Sequence, residues 1–399
     1  MKREHNWSRL GAALLGLVVV VVAVAAAAAN GTPAGKLPRQ APAGDAFYRP
    51  QGLRSGRAGD VIWTAPIIAP AGSRGWKILY HSQAIDGHDI AVSGVVIVPT
   101  SKVPSGGRPV ISWAHGTHGL ADACAPSKAL DIAYRIPGIK DFIKQGDIVV
   151  ATDYEGLGTP GEHPYLVGES EARGVLDIVR AVRQMPGSGA SATTLVYGHS
   201  QGGQAALFAA QIASSYAPEL HLLGVTAVAP VADVTAMVPM ATTVPALLGY
   251  DVMTAVGFRA AYPNVDLSTV LGPQALANLN VVDQRCSDDV VDYFAQYPPS
   301  QVVAHNPLDV PVLAQLLQQS TAGDVHTAVP QFIVQGDLDA LVPKTVTDRY
   351  VRRACGQGDQ LLYRVYPGQD HITARDVSVP DVEAWLAARL AGQPAPSSC

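Results

Sequence analysis

Residues 194–203 read Thr-Leu-Val-Tyr-Gly-His-Ser-Gln-Gly-Gly, and this stretch decides the fold. The first four residues favour a strand, and the residues from Gln204 onward favour a helix. Between them lies the pattern G-x-S-x-G, which is typical of a nucleophile elbow when it joins a strand to a helix. We therefore predict that Ser200 is a nucleophile above the N-terminal end of a helix, where the helix dipole favours negative charge. The alternative is an ordinary glycine-rich turn with an inert, buried serine.

Strand-like and helical segments alternate on both sides of this stretch. Residues 77–83 and 90–98 flank Asp86-Gly87, which predicts a β-hairpin. The alternation of the later segments predicts an α/β fold with a mostly parallel sheet covered by helices on both faces. The predicted strands after the hairpin are 110–113, 148–151, 194–197, 222–228, 331–335 and 361–366, and the predicted helices are 139–144, 172–182, 202–216, 344–355 and 382–390.

The alternation stops between residues 232 and 325, where apolar stretches contain Pro, Gly and Tyr without a strand-turn-helix order. The simplest organisation is one α/β domain, formed by residues 30–231 and 326–399, with residues 232–325 inserted as a helical cap. Residues 30–59, rich in Pro, Gly, Ala and Arg, are expected to form a loosely held lead-in.

The helical segment at 172–182 has apolar residues at the spacing of one buried face. Arg173, Asp177 and Arg180 lie off that face, so we expect them to be exposed. A second serine, Ser170, lies in a sequence that lacks the last glycine of the elbow pattern and follows no strand. We predict it in the first turn of this helix.

A serine nucleophile needs a base and an orienting carboxylate, which in α/β hydrolases follow in the order acid, then histidine. His371 follows a late strand near the C-terminus, so we predict it as the base, in preference to His221, His305 and His326. Asp339 follows the preceding predicted strand and is favoured as the acid over Asp337. Asp370 adjoins His371 too closely to orient it and is expected to be solvated.

Two backbone N–H groups are needed to bind the oxyanion of such a reaction. We predict the N–H of Gln201, directly after the nucleophile, and the N–H of Thr117 in the loop after the strand at 110–113, with His118 as the next choice. His115 and His118 could instead bind a metal with Asp122, but no zinc-binding framework is present. The triad requires no metal, and we expect no cofactor.

The composition excludes two classes of protein. Of 399 residues, 48% are hydrophobic and only 15% are charged, which excludes an intrinsically disordered chain. A net charge of −5 leaves no basic field for nucleic acid. The low-charge stretch 231–329 is expected to line and cover a site for an apolar acyl chain.

Residues 1–29 resemble a secretory signal peptide. Lys2, Arg3 and Arg9 precede an uncharged apolar run at 11–29 that ends in alanines. An uncleaved membrane anchor is the alternative. We expect a protein that is secreted or held in the cell envelope.

The chain has four cysteines, Cys124, Cys286, Cys355 and Cys399, all after the predicted signal peptide. An even number in an exported protein predicts two disulfide bonds. Three pairings are open, and the spacing does not choose among them.

Several further motifs, taken together, resemble the secretory lipases of fungi and actinobacteria, a family typified by the A-type lipase of a yeast. The resemblance spans nearly all of the chain after residue 29. It rests on Lys77-Ile78-Leu79-Tyr80, Ser93-Gly94-Val95-Val96-Ile97-Val98-Pro99, Ser112-Trp113, Cys124-Ala125-Pro126-Ser127, Asp153-Tyr154-Glu155-Gly156-Leu157-Gly158, Leu176-Asp177-Ile178-Val179-Arg180-Ala181, and the segments 198–203 and 336–343.

This resemblance implies an α/β-hydrolase fold with a helical cap, carboxylester hydrolysis and a Ser200, Asp339, His371 triad. It also implies disulfide bonds from Cys124 to Cys286 and from Cys355 to Cys399. One departure is that the yeast-type members carry an acidic residue in the oxyanion loop, where this chain has Gly116-Thr117-His118.

We therefore predict an exported serine esterase or triacylglycerol lipase that forms an acyl-enzyme. Its partners are expected to be an ester or lipid substrate and a lipid interface, with no nucleic acid, and the protein is expected to be a monomer. The alternatives are an acyltransferase or peptidase with the same triad, or a non-catalytic envelope-binding protein.

Overall fold

A computed structural model describes residues 41–399 of the protein. The predicted signal peptide and the first part of the predicted lead-in lie outside the described residues. Within residues 41–399, none of the helices combines the length and the apolar character that crossing a bilayer requires.

The described residues contain one sheet of nine strands. Their bounds are β1 Val61–Ile67, β2 Ser73–Gln83, β3 Asp89–Pro99, β4 Arg108–Ala114, β5 Ile148–Thr152, β6 Ala190–His199, β7 His221–Val228, β8 Gln331–Gly336 and β9 Leu361–Tyr366. The spatial order is β1-β2-β3-β5-β4-β6-β7-β8-β9. Strands β1, β2 and β3 pair antiparallel, as does β3 with β5. From β5 to β9 all pairs are parallel, so the prediction of a mostly parallel sheet is confirmed.

Helices α1–α12 cover the sheet and form the insertion in the described part of the chain. Their bounds are α1 Ile139–Gln145, α2 Gly168–Gln184, α3 Gln201–Tyr216, α4 Val234–Ala241, α5 Leu248–Ala261, α6 Pro273–Ala277, α7 Asn280–Gln284, α8 Ser287–Phe294, α9 Pro299–Val302, α10 Pro311–Gln319, α11 Lys344–Gly356 and α12 His371–Leu390.

Both faces of the sheet are buried. In β5 the side chain of Val149 packs in a core with α1 and α12, whereas Val150 packs with α2, α3 and α11. Because successive side chains of a strand point to opposite faces, a sheet covered on both sides needs continuous apolar strands. This arrangement accounts for the uninterrupted apolar runs in the central strands.

Helices α4–α10 lie between β7 and β8 and pack around an apolar core that also includes residues 165–167 and Val342 and Val346 of the α/β part. We call residues 234–319 the cap. Asp233, just before α4, is fully buried; its Oδ1 accepts the N–H of Ala236 at 2.9 Å and so caps the helix. Its Oδ2 accepts from Arg349 at 3.1 Å and from Arg353 at 2.6 Å, both on α11. The beginning of the cap is thus fixed to the core domain.

The expectation that Asp177 is exposed is wrong. It is fully buried and accepts hydrogen bonds from Ser82 Oγ at 2.6 Å, Tyr216 Oη at 2.7 Å and Arg180 Nη1 at 2.7 Å. The reason is that α2 packs against both the sheet and α3, so a single buried face does not describe it.

The lead-in is less loose than expected where it is described. Residues Gly44–Tyr48 form a short 3-10 helix, and Phe47 and Tyr48 are buried. Trp63 Nε1 donates to the carbonyl of Phe47 at 3.0 Å, and the ammonium of Lys77 lies 4.4 Å from the centre of the Phe47 ring. Strand β1, which carries Trp63, was not predicted from the sequence.

Two disulfide bonds join distant parts of the chain. Cys124 pairs with Cys286, and Cys355 pairs with Cys399, which is the pairing implied by the family resemblance. The first bond links the loop after β4 to the start of α8 in the cap. The second links α11 to the C-terminal residue.

Candidate active site

Ser200 lies on the sharp turn between β6 and α3. Its backbone has φ 58° and ψ −119°, a conformation that non-glycine residues rarely adopt. A Cβ on Gly198 would lie 1.9 Å from the carbonyl oxygen of Gly202, and a Cβ on Gly202 would lie 1.9 Å from that of Ala114. The two glycines of the pattern are therefore required by the closeness of the neighbouring backbone.

Asp339 and His371 meet beyond the carboxyl ends of β8 and β9. His371 Nδ1 lies 2.7 Å from Asp339 Oδ2, and the same oxygen accepts from Gln335 Nε2 at 3.0 Å. The other carboxylate oxygen accepts the backbone N–H groups of Leu341 at 3.0 Å and Val342 at 2.8 Å. A buried carboxylate with four donors is held in one orientation, and it fixes His371 with a proton on Nδ1 and a free lone pair on Nε2.

Ser200 and His371 line the same cavity, and each is 7% exposed. No direct hydrogen bond joins their side chains within the described residues; in unliganded sites such bonds are often long and tighten only when substrate binds. His199, which the sequence analysis did not single out, lies beside them. Its Nε2 is 3.0 Å from the carbonyl oxygen of His371, and burial, with the nearby His371, lowers its pKa to about 3. His199 is thus neutral and holds the backbone at His371.

The loop at residues 115–119 approaches the serine closely. A Cβ on Gly116 would lie 3.5 Å from Ser200 Cβ. Within residues 41–399, neither the N–H of Thr117 nor that of Gln201 donates to a protein acceptor. Thr117 is held by its hydroxyl, 2.8 Å from Tyr165 Oη. Free N–H groups beside a nucleophile are what the predicted oxyanion hole requires.

The cap contacts this loop directly. At the start of α8, the backbone N–H of Ser287 donates to the carbonyl of His118 at 2.9 Å, and its hydroxyl donates to the carbonyl of Thr117 at 3.4 Å. The neighbouring Cys286 is bonded to Cys124. Two hydrogen bonds therefore attach the loop to the N-terminal end of a cap helix, and the disulfide bond attaches Cys124, five residues beyond the loop, to the same end.

The side chain of Gln201 is anchored away from the cavity. Its Nε2 donates to Glu171 Oε1 at 2.8 Å and to His163 Nε2 at 2.8 Å. His163 Nδ1 lies 2.8 Å from the carbonyl oxygen of Glu155, which makes Nδ1 the protonated nitrogen. Burial lowers the pKa of His163 to about 4 and raises the pKa of Glu171 to about 8. Both side chains are therefore neutral at pH 7.

The cavity has a volume of about 880 Å³. Its walls come from the β4 loop, the elbow and the cap. The cap contributes polar side chains, including Tyr250, Asp251, Thr254, Ser287 and Asp288, and a larger number of apolar ones, which are Val234, Met237, Val238, Ala241, Leu247, Ala255, Phe258, Val270, Pro307, Leu313 and Leu317. A cavity of this size and lining suits a ligand with an extended apolar part.

The other residues considered in the sequence analysis make hydrogen bonds outside the Ser200, Asp339 and His371 group. Asp337 accepts the N–H of Gly368 at 2.6 Å, and Asp370, exposed as expected, caps α12. Ser170 lies in the first turn of α2, as predicted, and donates to Glu155 Oε2 at 2.5 Å.

In the described part of the chain no group of three or more potential ligands could hold a metal. His115 and His118, with Nδ1 atoms 2.7 and 2.8 Å from the carbonyl oxygen of Gly116, are neutral because burial lowers their pKa.

Sequence reasoning missed several polar residues around the site, among them His199, Glu171, His163 and Gln335. One signal could have revealed Glu171. It shares the helical spacing of Val175, Ile178 and Val182 on α2, and all four are buried. A charge within a buried stripe indicates a specific hydrogen-bond partner. His163 and Gln335 carry no comparable local signal.

The chain matches the model of the secretory lipase family over residues 124–398. It is 24% identical over 412 residues to lipase 1 of Candida albicans, a match covering 92% of this chain and 84% of the relative. It is also 24% identical over 384 residues to a probable inactive lipase of Mycobacterium tuberculosis, covering 88% of this chain and 83% of that relative.

Lipase A of Candida antarctica has a similar structure, with a TM-score of 0.73 at 20% identity; the match covers 85% of this chain and 83% of that one. This likeness shows the α/β-hydrolase fold, as predicted. The family model spans most of the chain and both segments that carry Ser200 and His371. The chain therefore belongs to the secretory lipase family.

Proposed function

We propose that the protein is a secreted serine carboxylesterase that hydrolyses lipid esters, including triacylglycerols, through an acyl-enzyme. The observation that carries the proposal is the hydrogen bond of 2.7 Å between Asp339 and His371, placed on the wall of the apolar cavity into which Ser200 also faces. Family membership supports ester hydrolysis as the reaction class.

The first half of the reaction forms the acyl-enzyme. His371 Nε2 takes the proton of Ser200 as Oγ bonds to the ester carbonyl carbon, and Asp339 stabilises the resulting imidazolium. The carbonyl oxygen becomes an oxyanion that accepts from the N–H groups of Gln201 and Thr117. When the tetrahedral intermediate collapses, the bond to the alcohol oxygen breaks and His371 protonates the leaving alcohol. Water then repeats the sequence and releases the acid.

The cavity supports an acyl chain as the apolar part of the substrate. Its cap residues are apolar over several helices, and burying a chain of methylene groups against them contributes about 0.8 kcal/mol for each group. We propose that the acyl chain lies beneath the cap and that the ester lies at the elbow. Contact with a lipid interface and a monomeric state belong to the same proposal.

Export is proposed on two grounds. Residues 1–29 have the pattern of a signal peptide, and two disulfide bonds join the described chain. Disulfide bonds persist in oxidising compartments outside the cytosol. We propose release or retention in the cell envelope after cleavage of the signal peptide.

Labelling with a fluorophosphonate tests the mechanism. We expect the native protein to be modified at Ser200 and Ser200→Ala to be neither labelled nor active on 4-nitrophenyl esters. Ser214→Ala is a matched control, because Ser214 is exposed on the same helix α3. Full activity of Ser200→Ala, or an unlabelled native protein, would refute the proposal. Rates across esters from short to long acyl chains then separate esterase from lipase.

A further inference from the structure

A buried carboxyl group of the cap, that of Asp251, faces the cavity. Asp251 is 8% exposed and lies on α5. The side chains of α5 that line the cavity share one face of the helix, and the opposite face packs in the core of the cap. The cavity face is Tyr250, Asp251, Thr254, Ala255 and Phe258, and the core face includes Val252, Met253 and Val256.

The carboxyl group of Asp251 has no partner within residues 41–399. No side chain or backbone N–H in this part of the chain donates to it, and no cation forms an ion pair with it; burial alone raises its pKa to about 7. Three other buried carboxylates are well partnered, whereas buried Asp147 also accepts no hydrogen bond from the described residues but has the cation of Arg108 nearby. Asp153, Asp177 and Asp339 each accept at least two hydrogen bonds.

An unpartnered carboxyl in an apolar wall reduces stability. Its oxygens are accessible from the cavity, since neither is among the fully buried side-chain atoms that lack a partner. Removing most of the water around a carboxylate still costs free energy that an apolar residue of similar size would avoid. The cap core on the other side of α5 gains nothing from the group. Asp251 therefore fits a role toward a molecule in the cavity better than a role in holding the cap.

We propose that Asp251 is a specificity-determining residue that binds a hydroxyl group on the acyl chain of the ester substrate. The substrate class is then esters of hydroxylated fatty acids. The inference rests on the proposed function, since it places the acyl chain beneath the cap.

A hydroxyl fits this position better than an ammonium group. A hydroxyl donates to a carboxylate and accepts from a protonated carboxyl, so it is satisfied in either state of Asp251. An ammonium would have to give up its hydration in a cavity whose cap wall is mostly apolar, with Tyr250, Thr254, Ser287 and Asp288 as its polar residues besides Asp251. The methylene groups on each side of the hydroxyl would contact Leu247 and Phe258 or their neighbours on that wall.

The test measures kcat/KM for 4-nitrophenyl dodecanoate and for its hydroxylated forms, with the hydroxyl moved one carbon at a time along the chain. A matched amino-substituted ester is included. The proteins are the native chain, Asp251→Asn, Asp251→Leu and Asp292→Asn. Asp292 is an exposed carboxylate on the cap helix α8 and serves as the control for cap charge.

We expect the native protein to prefer the hydroxylated ester at one position or two adjacent positions over the unsubstituted ester. In Asp251→Leu the ratio of kcat/KM on the hydroxylated ester to kcat/KM on plain dodecanoate should fall by about tenfold or more, the loss expected for a hydrogen bond to a buried polar group. Asp251→Leu should also raise Tm. Asp292→Asn should leave the preference unchanged.

Three results would overturn the inference: no preference at any position, an equal loss by Asp251→Leu on both kinds of ester, or a preference for the amino-substituted ester. These differ from failure of the proposed function. A native protein that hydrolyses plain dodecanoate through Ser200 but does not discriminate refutes only the role of Asp251. A native protein inactive on every ester refutes both.

Discussion

Gln201 donates from its side-chain amide to Glu171 at 2.8 Å, while its backbone N–H, which is the donor predicted for the oxyanion hole, has no protein acceptor in the described residues. One residue thus has a side chain fixed in the core and a main-chain donor beside Ser200. Glu171 also accepts the N–H of Leu166 on the same oxygen, at 2.9 Å. Its other oxygen, Oε2, is buried and has no partner in the described residues. Protonation of that oxygen removes the cost of burying a charge, which is why the pKa of Glu171 rises to about 8.

Replacing Glu171 should change how stability depends on pH. Because its pKa is raised in the folded protein, the folded state holds a proton that the unfolded state releases near pH 4.5, and stability falls as pH rises from there to about 8. Glu171→Gln keeps the acceptor but cannot ionise. We expect the free energy of unfolding of this variant, relative to native, to increase with pH up to about 8 and then stay constant.

Urea unfolding at a series of pH values measures this difference. Glu169→Gln is the control on the same helix; solvent reaches 44% of that side chain, so no comparable trend is expected. Parallel curves for native protein and Glu171→Gln across the whole range would contradict the raised pKa.

Asp339→Asn should reduce kcat by about a thousandfold or more, with little change in folding. The amide keeps the shape of the side chain but donates toward His371 Nδ1, and this favours the wrong tautomer of the imidazole. Asp337→Asn is the control, because Asp337 is exposed and bonds only to Gly368 among the described residues. Steady-state kinetics on a short-chain ester measures both. Equal activity of the two variants would remove Asp339 from the mechanism.

The sequence predicts a feature well when the contacts that require it come from the same short stretch of chain or from an adjacent strand. The elbow is local: Gly198 and Gly202 are required by backbone that lies within a few residues or on the adjacent strand, so a ten-residue pattern reveals it. The parallel strands are also local in this sense, because burial on both faces makes each one a continuous apolar run.

The burial of Asp177 and the lining of the cavity depend on contacts between residues that are distant in sequence. The burial of Asp177 depends on Ser82 and Tyr216, which are distant in sequence and meet only when α2 packs between the sheet and α3. The cavity face of α5 has no distinctive pattern, because apolar residues occur on both faces of this helix. Only packing shows which of them faces the cavity, and so the sequence did not single out Asp251.

Asp233 should be a stability determinant for the cap. Asp233→Ala removes the cap of α4 and leaves Arg353 Nη1 without its carboxylate partner on the core domain. We expect a loss of about 2 kcal/mol in the free energy of unfolding, from the helix cap and a charge-assisted hydrogen bond together. Chemical denaturation measures the loss. Asp309→Ala, on the exposed surface of the cap, is the control, and equal stability of the two variants would contradict the anchoring role.

The two disulfide bonds should differ in what they do for activity. In the chain-entropy model, closing loops of 162 and 44 residues stabilises the folded state by about 5 and about 4 kcal/mol. Both Cys→Ser pairs should therefore lower Tm. Only the first pair, Cys124→Ser with Cys286→Ser, removes a covalent link near the loop at residues 115–119, which is then held on α8 by the two hydrogen bonds of Ser287. This pair should therefore also lower kcat at a temperature where the variant is still folded. Cys355→Ser with Cys399→Ser should keep the native kcat there, because α11 and the C-terminus do not line the cavity in the described structure.

Thermal unfolding and single-temperature kinetics on the two variants provide the measurement. Loss of Tm without loss of kcat in the first pair would show that the loop is held in position by Ser287 alone.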